Sequence, residues 1–291
     1  MSGERNAQVM YLKKYDANLK DRRAVSPAIS TVILTAGIVV MVLVAMSFSN
    51  GFLNTRMAES EFTTNKQFML TTALQLDDIA WTIGRTETVR YSSRYGQVKF
   101  QSPALEYSFE VDNGNGWQQI LTYQTGIILY NMPANVHTLG NNYFERVYPS
   151  DGSFLQQGAS ASVAHVYVIE KLPMAEGNYT RVVVAPSIRW LESTIIGLSQ
   201  TKYLKFYAPA LISGGHPQLS QSITLIGNNV TKYVLNGVNA VRVNVTYPNA
   251  GIGFDADFFK FQTQSVELTG LGGAVVEFYV GEVKVSLGMH A

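Results

Sequence analysis

Ala28–Phe48 reads AISTVILTAGIVVMVLVAMSF, and the rest of the chain is understood from this stretch outward. Its 21 residues hold no Asp, Glu, Lys or Arg, and the charge-free window extends from Ala24 to Thr55. As an α-helix the stretch is long enough to cross a hydrocarbon layer of ~30 Å. Eleven of its residues are Ile, Val, Leu or Phe. At roughly −0.3 to −0.6 kcal/mol each, they favour insertion into a bilayer by about 3 to 7 kcal/mol. Core helices of soluble domains rarely run this far without a charge. The segment is therefore expected to reside in a membrane at some stage.

Its flanks set an orientation. Residues 1–24 hold six basic side chains (Arg5, Lys13, Lys14, Lys20, Arg22 and Arg23) against Glu4, Asp16 and Asp21, a net charge of +3. A basic cluster abutting the apolar run predicts a cytoplasmic N-terminus, with the remainder outside. The whole chain of 291 residues is nearly neutral, at +1. Outside the leader its basic residues do not cluster, which excludes a generally basic nucleic-acid binder. A hydrophobic content of 46% excludes intrinsic disorder. The absence of cysteine removes disulfides, thiolate metal sites and cysteine nucleophiles together.

Three fates of the apolar run compete. An ordinary secretory signal would be cut after it, with Ala45-Met46-Ser47 as the small-x-small site. A permanent anchor would not be cut. The third cut falls before it, within Arg22-Arg23-Ala24-Val25-Ser26-Pro27. Two basic residues, a small one, a hydrophobic one, then Ser-Pro opening an uncharged helix resembles the class III signal peptide of archaeal type IV pilins. The resemblance covers about residues 22–50. It implies that a prepilin peptidase reads Arg22, Arg23, Ala24 and Val25 and cuts after Ala24, making Val25 the new N-terminus. It further implies an assembly ATPase and a polytopic membrane platform as partners. One position departs from the bacterial pattern: Ile29 stands fifth in the processed chain, where bacterial-type pilins usually carry Glu.

The local chemistry suits such a cut. Ser26 is a good N-cap, and Pro27 fits the first helical position, where its missing N–H costs nothing. The helix start is thus predicted at Ser26 and Pro27, just beyond the scissile bond. The helix is expected to continue past a weak point at Asn50-Gly51. Phe62, Met69, Ala73, Leu76, Ala80 and Ile83 then follow at spacings of 7, 4, 3, 4 and 3, an a/d seam interrupted by Lys66. Gly84 is the expected stop. From Pro27 to Ile83 such a rod measures about 85 Å, more than one domain of this size can cover. Lipid or copies of the same helix must cover the rest.

From about Thr88 the hydrophobic period changes to two. Ala240–Thr246 and Val276–Val280 alternate cleanly, and after Gly281 the parity flips to Val283, Val285 and Leu287. That flip predicts a bulge or tight turn at the glycine. Other predicted strands are Leu105–Val111, Ile120–Tyr123, Ser162–Glu170, Thr180–Ala185, Lys202–Tyr207 and Phe258–Thr263. Asn115-Gly116, Asp151-Gly152 and Asn236-Gly237 are hairpin signals. Short strands with such punctuation predict a β-sandwich. A boundary inside it near residues 213–217 is conceivable, although no internal repeat supports one.

Functional chemistry is sparse. Asn178, Asn229 and Asn244 head N-x-Ser/Thr triplets, open either to N-glycosylation or to ordinary polar roles. Asn244 falls on the polar face of its strand. His137, His165, His216 and His290 are scattered without ligand spacing, and His165 reads as a strand residue. Asp255-Ala256-Asp257 and Asp112–Gly116 offer oxygen ligands, but simple turns account for both better than calcium does. No nucleophile elbow or phosphate loop occurs.

The expected fold class is α+β: a charged leader over 1–24, a long hydrophobic then amphipathic helix over 25–84, and a β-sandwich-like extracellular domain over 85–291. The expected function is structural, without enzymatic activity or cofactor: a subunit of a type IV pilus-like filament, membrane-bound as precursor and extracellular when mature. Ile29, Val32, Ile33, Val39, Val40 and Leu43 are the expected filament core. A surface binding protein or adhesin with the same signal, or an exported β-sandwich enzyme, are the alternatives.

Overall fold

A computed structural model describes residues 26–195, 201–215 and 221–288. One helix, α1 (Ser26–Ala80), runs without a break through Asn50 and Gly51. Glycine costs ~1 kcal/mol there, too little to stop a helix that continues for several turns on both sides. Among the described residues α1 alone is long and apolar enough to span a membrane. The chain divides into two compact units between Met57 and Ala58. Residues 29–57 of α1 are exposed throughout, whereas from Ala58 onward the helix buries one stripe.

The second unit is mainly β. Its strands are β1 (Thr86–Arg90), β2 (Gln97–Asp112), β3 (Trp117–Pro133), β4 (Tyr143–Tyr148), β5 (Leu155–Gln157), β6 (Ala164–Glu170) and β7 (Tyr179–Pro186). Then follow β8 (Ile188–Ile195), β9 (Thr201–Ser213), β10 (Ser222–Val238), β11 (Ala240–Thr246), β12 (Ser265–Leu268) and β13 (Ala274–Leu287). They form a six-stranded sheet in the order β1-β10-β13-β9-β8-β5 and a seven-stranded sheet in the order β12-β11-β2-β3-β7-β6-β4. Strands from before and after residues 213–217 pair within each sheet, as β11 does with β2, so no domain boundary falls there.

Two hydrophobic cores share the centre of the seven-stranded sheet. Leu129, Val183 and Ile169 face the first core, together with Phe206, Val276 and Phe278 of the six-stranded sheet. Their sequence neighbours Ile128, Val182 and Val168 face the second, against Phe62, Met69, Leu76 and Ile79 of α1. Burial on both faces explains why β6 and β7 read as continuous apolar runs, since neither face meets water. Of the amphipathic seam, Phe62, Met69, Ala73, Leu76 and Ala80 are buried here, while Ile83 lies beyond the helix and is exposed. Lys66, at the seam's interruption, reaches Glu145 at 2.5 Å.

Several expectations are corrected. β13 runs straight through Gly281, in unbroken register with β9. Its parity flips because Val276, Phe278 and Val280 turn to one side, and Val283 and Val285 to the other, where the second core begins. The register break lies in the neighbouring β10, between Gly227 and Asn229. Phe258–Thr263 is no strand. Asp255 caps a single helical turn, α2 (Ala256–Phe259), by accepting from the Phe258 N–H at 2.9 Å, and Lys260 closes it in the left-handed region. Aromatic β propensity loses there to a capped turn. Of the three hairpin signals only Asn115-Gly116 closes one, between β2 and β3. Asp151-Gly152 lies in the loop before β5, and Asn236-Gly237 makes a second register break inside β10.

Candidate assembly surface

The site begins as a run of side chains that nothing among the described residues buries. From Ile29 to Met57, α1 exposes sixteen large apolar residues, from 40% at Met57 to 80% at Phe48. Exposure is not confined to one face: consecutive Met41, Val42 and Leu43 stand at 74%, 50% and 61%. Ile29, Val32, Ile33, Val39, Val40 and Leu43, the expected core residues, are all among them. Two hydroxyls of the run bond back to the helix itself. Thr35 donates to the Thr31 carbonyl at 2.8 Å and Thr55 to the Gly51 carbonyl at 3.1 Å, as hydroxyls do in helices that meet no water. Arg56, the first charge after Ala24, sits over the Phe52 ring at 5.2 Å.

The magnitude matters. Leaving a Val, Leu, Ile, Phe or Met side chain in water forgoes about 1.5–3 kcal/mol. Taken at half exposure, sixteen such residues forgo on the order of 15 kcal/mol. That matches or exceeds the ~5–15 kcal/mol net stability of a whole domain. Such a surface requires a covering.

The buried half of α1 is held firmly. Glu61, 8% exposed, points its carboxylate into the loop before β2 and accepts from the N–H groups of Arg94 at 3.0 Å, Tyr95 at 3.1 Å and Gly96 at 3.0 Å. The Tyr130 hydroxyl adds a fourth bond at 2.8 Å. Burial and this bond to Glu61 raise the Tyr130 pKa, so the phenol remains a donor. Four donors on one carboxylate repay the cost of taking a charge out of water. One turn later Asn65 donates to the Ser92 carbonyl at 2.8 Å. Near the C-terminus Asp77 accepts from Trp81 at 2.9 Å and from Arg189 at 2.7 Å. There the helix end lies directly on two strands. A Cβ on Gly227 would collide with the Thr82 carbonyl, and one on Gly281 with the Ala80 carbonyl.

Of the remaining predicted positions, Arg22, Arg23, Ala24 and Val25 lie outside the described residues. α1 begins at Ser26, ahead of Pro27, and the side chains of both lie outside the description too. Asn178 and Asn229 are exposed. The Asn244 amide is engaged at both ends: it donates to Glu110 at 3.2 Å and accepts from Ser265 at 2.6 Å. Asp255 holds Lys171 at 2.7 Å besides capping its turn, and Asp112 accepts from the N–H groups of Gly114 at 2.7 Å and Gly116 at 3.1 Å. His165 is buried and donates to the Ser153 carbonyl at 2.9 Å. Among the described residues no three His, Cys, Asp or Glu side chains gather as metal ligands would.

Sequence reasoning missed Glu61 altogether. Its only signal was an acidic residue beside the seam position Phe62, and the donors it meets lie 33 to 35 residues further along in the backbone of residues 94–96 and 69 residues along at Tyr130. Comparison with protein-family models, with curated proteins and with solved structures finds no match for this chain.

Proposed function

We propose that the chain is the structural subunit of an extracellular type IV pilus-like filament. The observation that carries this reading is the all-round apolar exposure of residues 29–57 on a helix whose next turns are buried and latched. A helix apolar on every side needs lipid or protein on every side. In the precursor, lipid supplies that, with the charged leader on the cytoplasmic side. A prepilin peptidase then removes residues 1–24, and loss of the leader's +3 charge frees the helix to leave the bilayer. Extraction is unfavourable until other helices replace the lipid. Copies of the same segment, delivered by an assembly ATPase and membrane platform, do so. A heterologous contact that closes no ring grows into an open helical filament. We further infer that the two sheets form an elaborated β-sandwich, presented on the filament surface.

N-terminal sequencing of the mature protein, with electron microscopy of the sheared cell-surface fraction, tests this. Val25 as the first residue, on protein recovered in filaments, is the expected result. A start at Phe48 would make the apolar run an ordinary secretory signal, and uncut protein confined to membranes would make it an anchor. Either outcome removes the filament.

A further inference from the structure

The six-stranded sheet is open on both sides at one end. β1 covers only Ser222–Ile226 of β10, and β5 covers only Ile188–Trp190 of β8. Beyond those contacts Val230–Val234 of β10 and Leu191–Ile195 of β8, paired inward with β13 and β9, have no strand on their outer side among the described residues. Both open edges belong to the same four strands, since Leu235 pairs with Val276, Val276 with Leu204, and Leu204 with Glu192.

These edges differ from the others. β1 (TETVR) and β12 (SVEL) are short and charged, and β4 (YFERVY) carries Glu145 and Arg146, the devices that normally keep edges from pairing. The two open edges carry one charge each, Lys232 and Glu192, and no proline. Beyond α1 the large apolar side chains left exposed among the described residues are Ile83, Leu139, Ile195, Tyr233 and Val234. Three of these five lie on the two open edges, Ile195 at 58% and Val234 at 49%. On the sheet face away from the first core, Leu191 and Ile195 are four residues apart, as are Val230 and Val234.

We propose that the β units of neighbouring copies join edge to edge, with Leu191–Ile195 of one copy lying parallel to Val230–Val234 of the next. The direction follows from the topology. β10 is antiparallel to β13, β13 parallel to β9, and β9 antiparallel to β8, so β8 and β10 run the same way. Copies that share one orientation therefore present them to each other as parallel strands. The matched spacing sets Leu191 against Val230, Ser193 against Lys232, and Ile195 against Val234, burying two apolar pairs. Because the joining edges are different surfaces, the contact propagates instead of stopping at a dimer. The proposal rests on the filament reading, which supplies neighbours in one orientation.

The absence of native cysteine makes a clean test available. Ser193→Cys and Lys232→Cys are placed together in the full chain, and intact cells are treated with a mild thiol oxidant. Within one copy the two positions are three strand spacings apart, at least about 14 Å, so only a contact between copies can form the bond. A ladder of dimers, trimers and higher species is expected from the double variant. Neither single variant should cross-link, and adding Val234→Lys to the pair should abolish the ladder. Filaments without a ladder would overturn the edge contact and leave the filament reading standing. A ladder without filaments would do the reverse. Dimers from either single variant would mean two-fold pairing, which also overturns the proposal, as would the absence of both ladder and filaments.

Discussion

Buried polar residues differ in how well the fold supports them: Glu61 meets four donors, whereas the Nε2 of His165 meets only the Ser153 carbonyl at 2.9 Å and the Gln156 amide nitrogen at 3.3 Å. His165 lies on β6 in the strand role its sequence predicts, and its ring is almost fully enclosed. Burial, only partly opposed by the Ser153 carbonyl, lowers its pKa from 6.5 to about 4. The unfolded chain therefore takes up a proton near pH 6.5 that the native protein refuses until about pH 4. The stability held by the neutral ring is complete above pH 6.5 and drains away as the pH falls towards 4, by about 3 kcal/mol in all. Urea unfolding at pH 7 and pH 4.5, with His165→Gln as reference, checks this. The wild type should lose about 2 to 3 kcal/mol more than the variant over that interval. Equal losses would mean that the ring is not what titrates. The histidine's place on a strand was legible in AHVYV, whereas the Glu61 latch was not, because its partners depend on how the loop at residues 93–96 folds back.

Among the elements, legibility followed the range of the forces involved. α1 was readable because 21 uncharged residues have few other fates, and its seam because a period of 3.6 is a local property. The parity flip of β13 was visible too, but its cause was not. A strand that changes buried faces without a bulge needs a second core, and that core exists only because α1 returns to the sheet. FFKFQT misled for the opposite reason: its β propensity is local, but so is the Asp255 cap that overrides it. The glycine at the flip is therefore spatial in purpose, making room for the helix end. Gly281→Ala should destabilise the full chain by about 1–3 kcal/mol, since the methyl group must displace the Ala80 carbonyl or the Trp81 ring. Gly251→Ala, where a Cβ would meet open space, should be nearly neutral. Thermal unfolding of the two variants side by side is the measurement. Equal melting temperatures would show that α1 does not rest on β13 at this point.

At the scale of the whole molecule, one chain joins a unit able to satisfy itself with a helix segment that cannot. The sheets close one core between them and a second against the latter part of α1, while on the order of 15 kcal/mol of apolar exposure is left on residues 29–57. Sequence made this asymmetry plain, because charge is absent from residues 24–55 and returns with Arg56, Glu59 and Glu61 where the buried part of the helix begins. The pairing order of the thirteen strands among the described residues was not legible, since nonlocal contacts leave no periodic trace. The asymmetry can be tested at Val39 and Leu43, one turn apart near the middle of the charge-free run and 51% and 61% exposed. If neighbouring helices cover them in the filament, Val39→Asp places a carboxylate where no donor awaits it. Burying it there costs several kcal/mol, unlike Glu61, which meets four donors. The same change weakens membrane insertion by roughly 3 kcal/mol at the helix centre, so two steps must be separated. Precursor carrying Val39→Asp is first measured in the membrane fraction, and filaments are then counted by electron microscopy per inserted precursor. That ratio should fall to near zero, while Val39→Leu, which keeps the apolar surface, should leave it unchanged. Filaments of normal number and shear resistance from inserted Val39→Asp precursor would place this stretch of α1 outside the filament core.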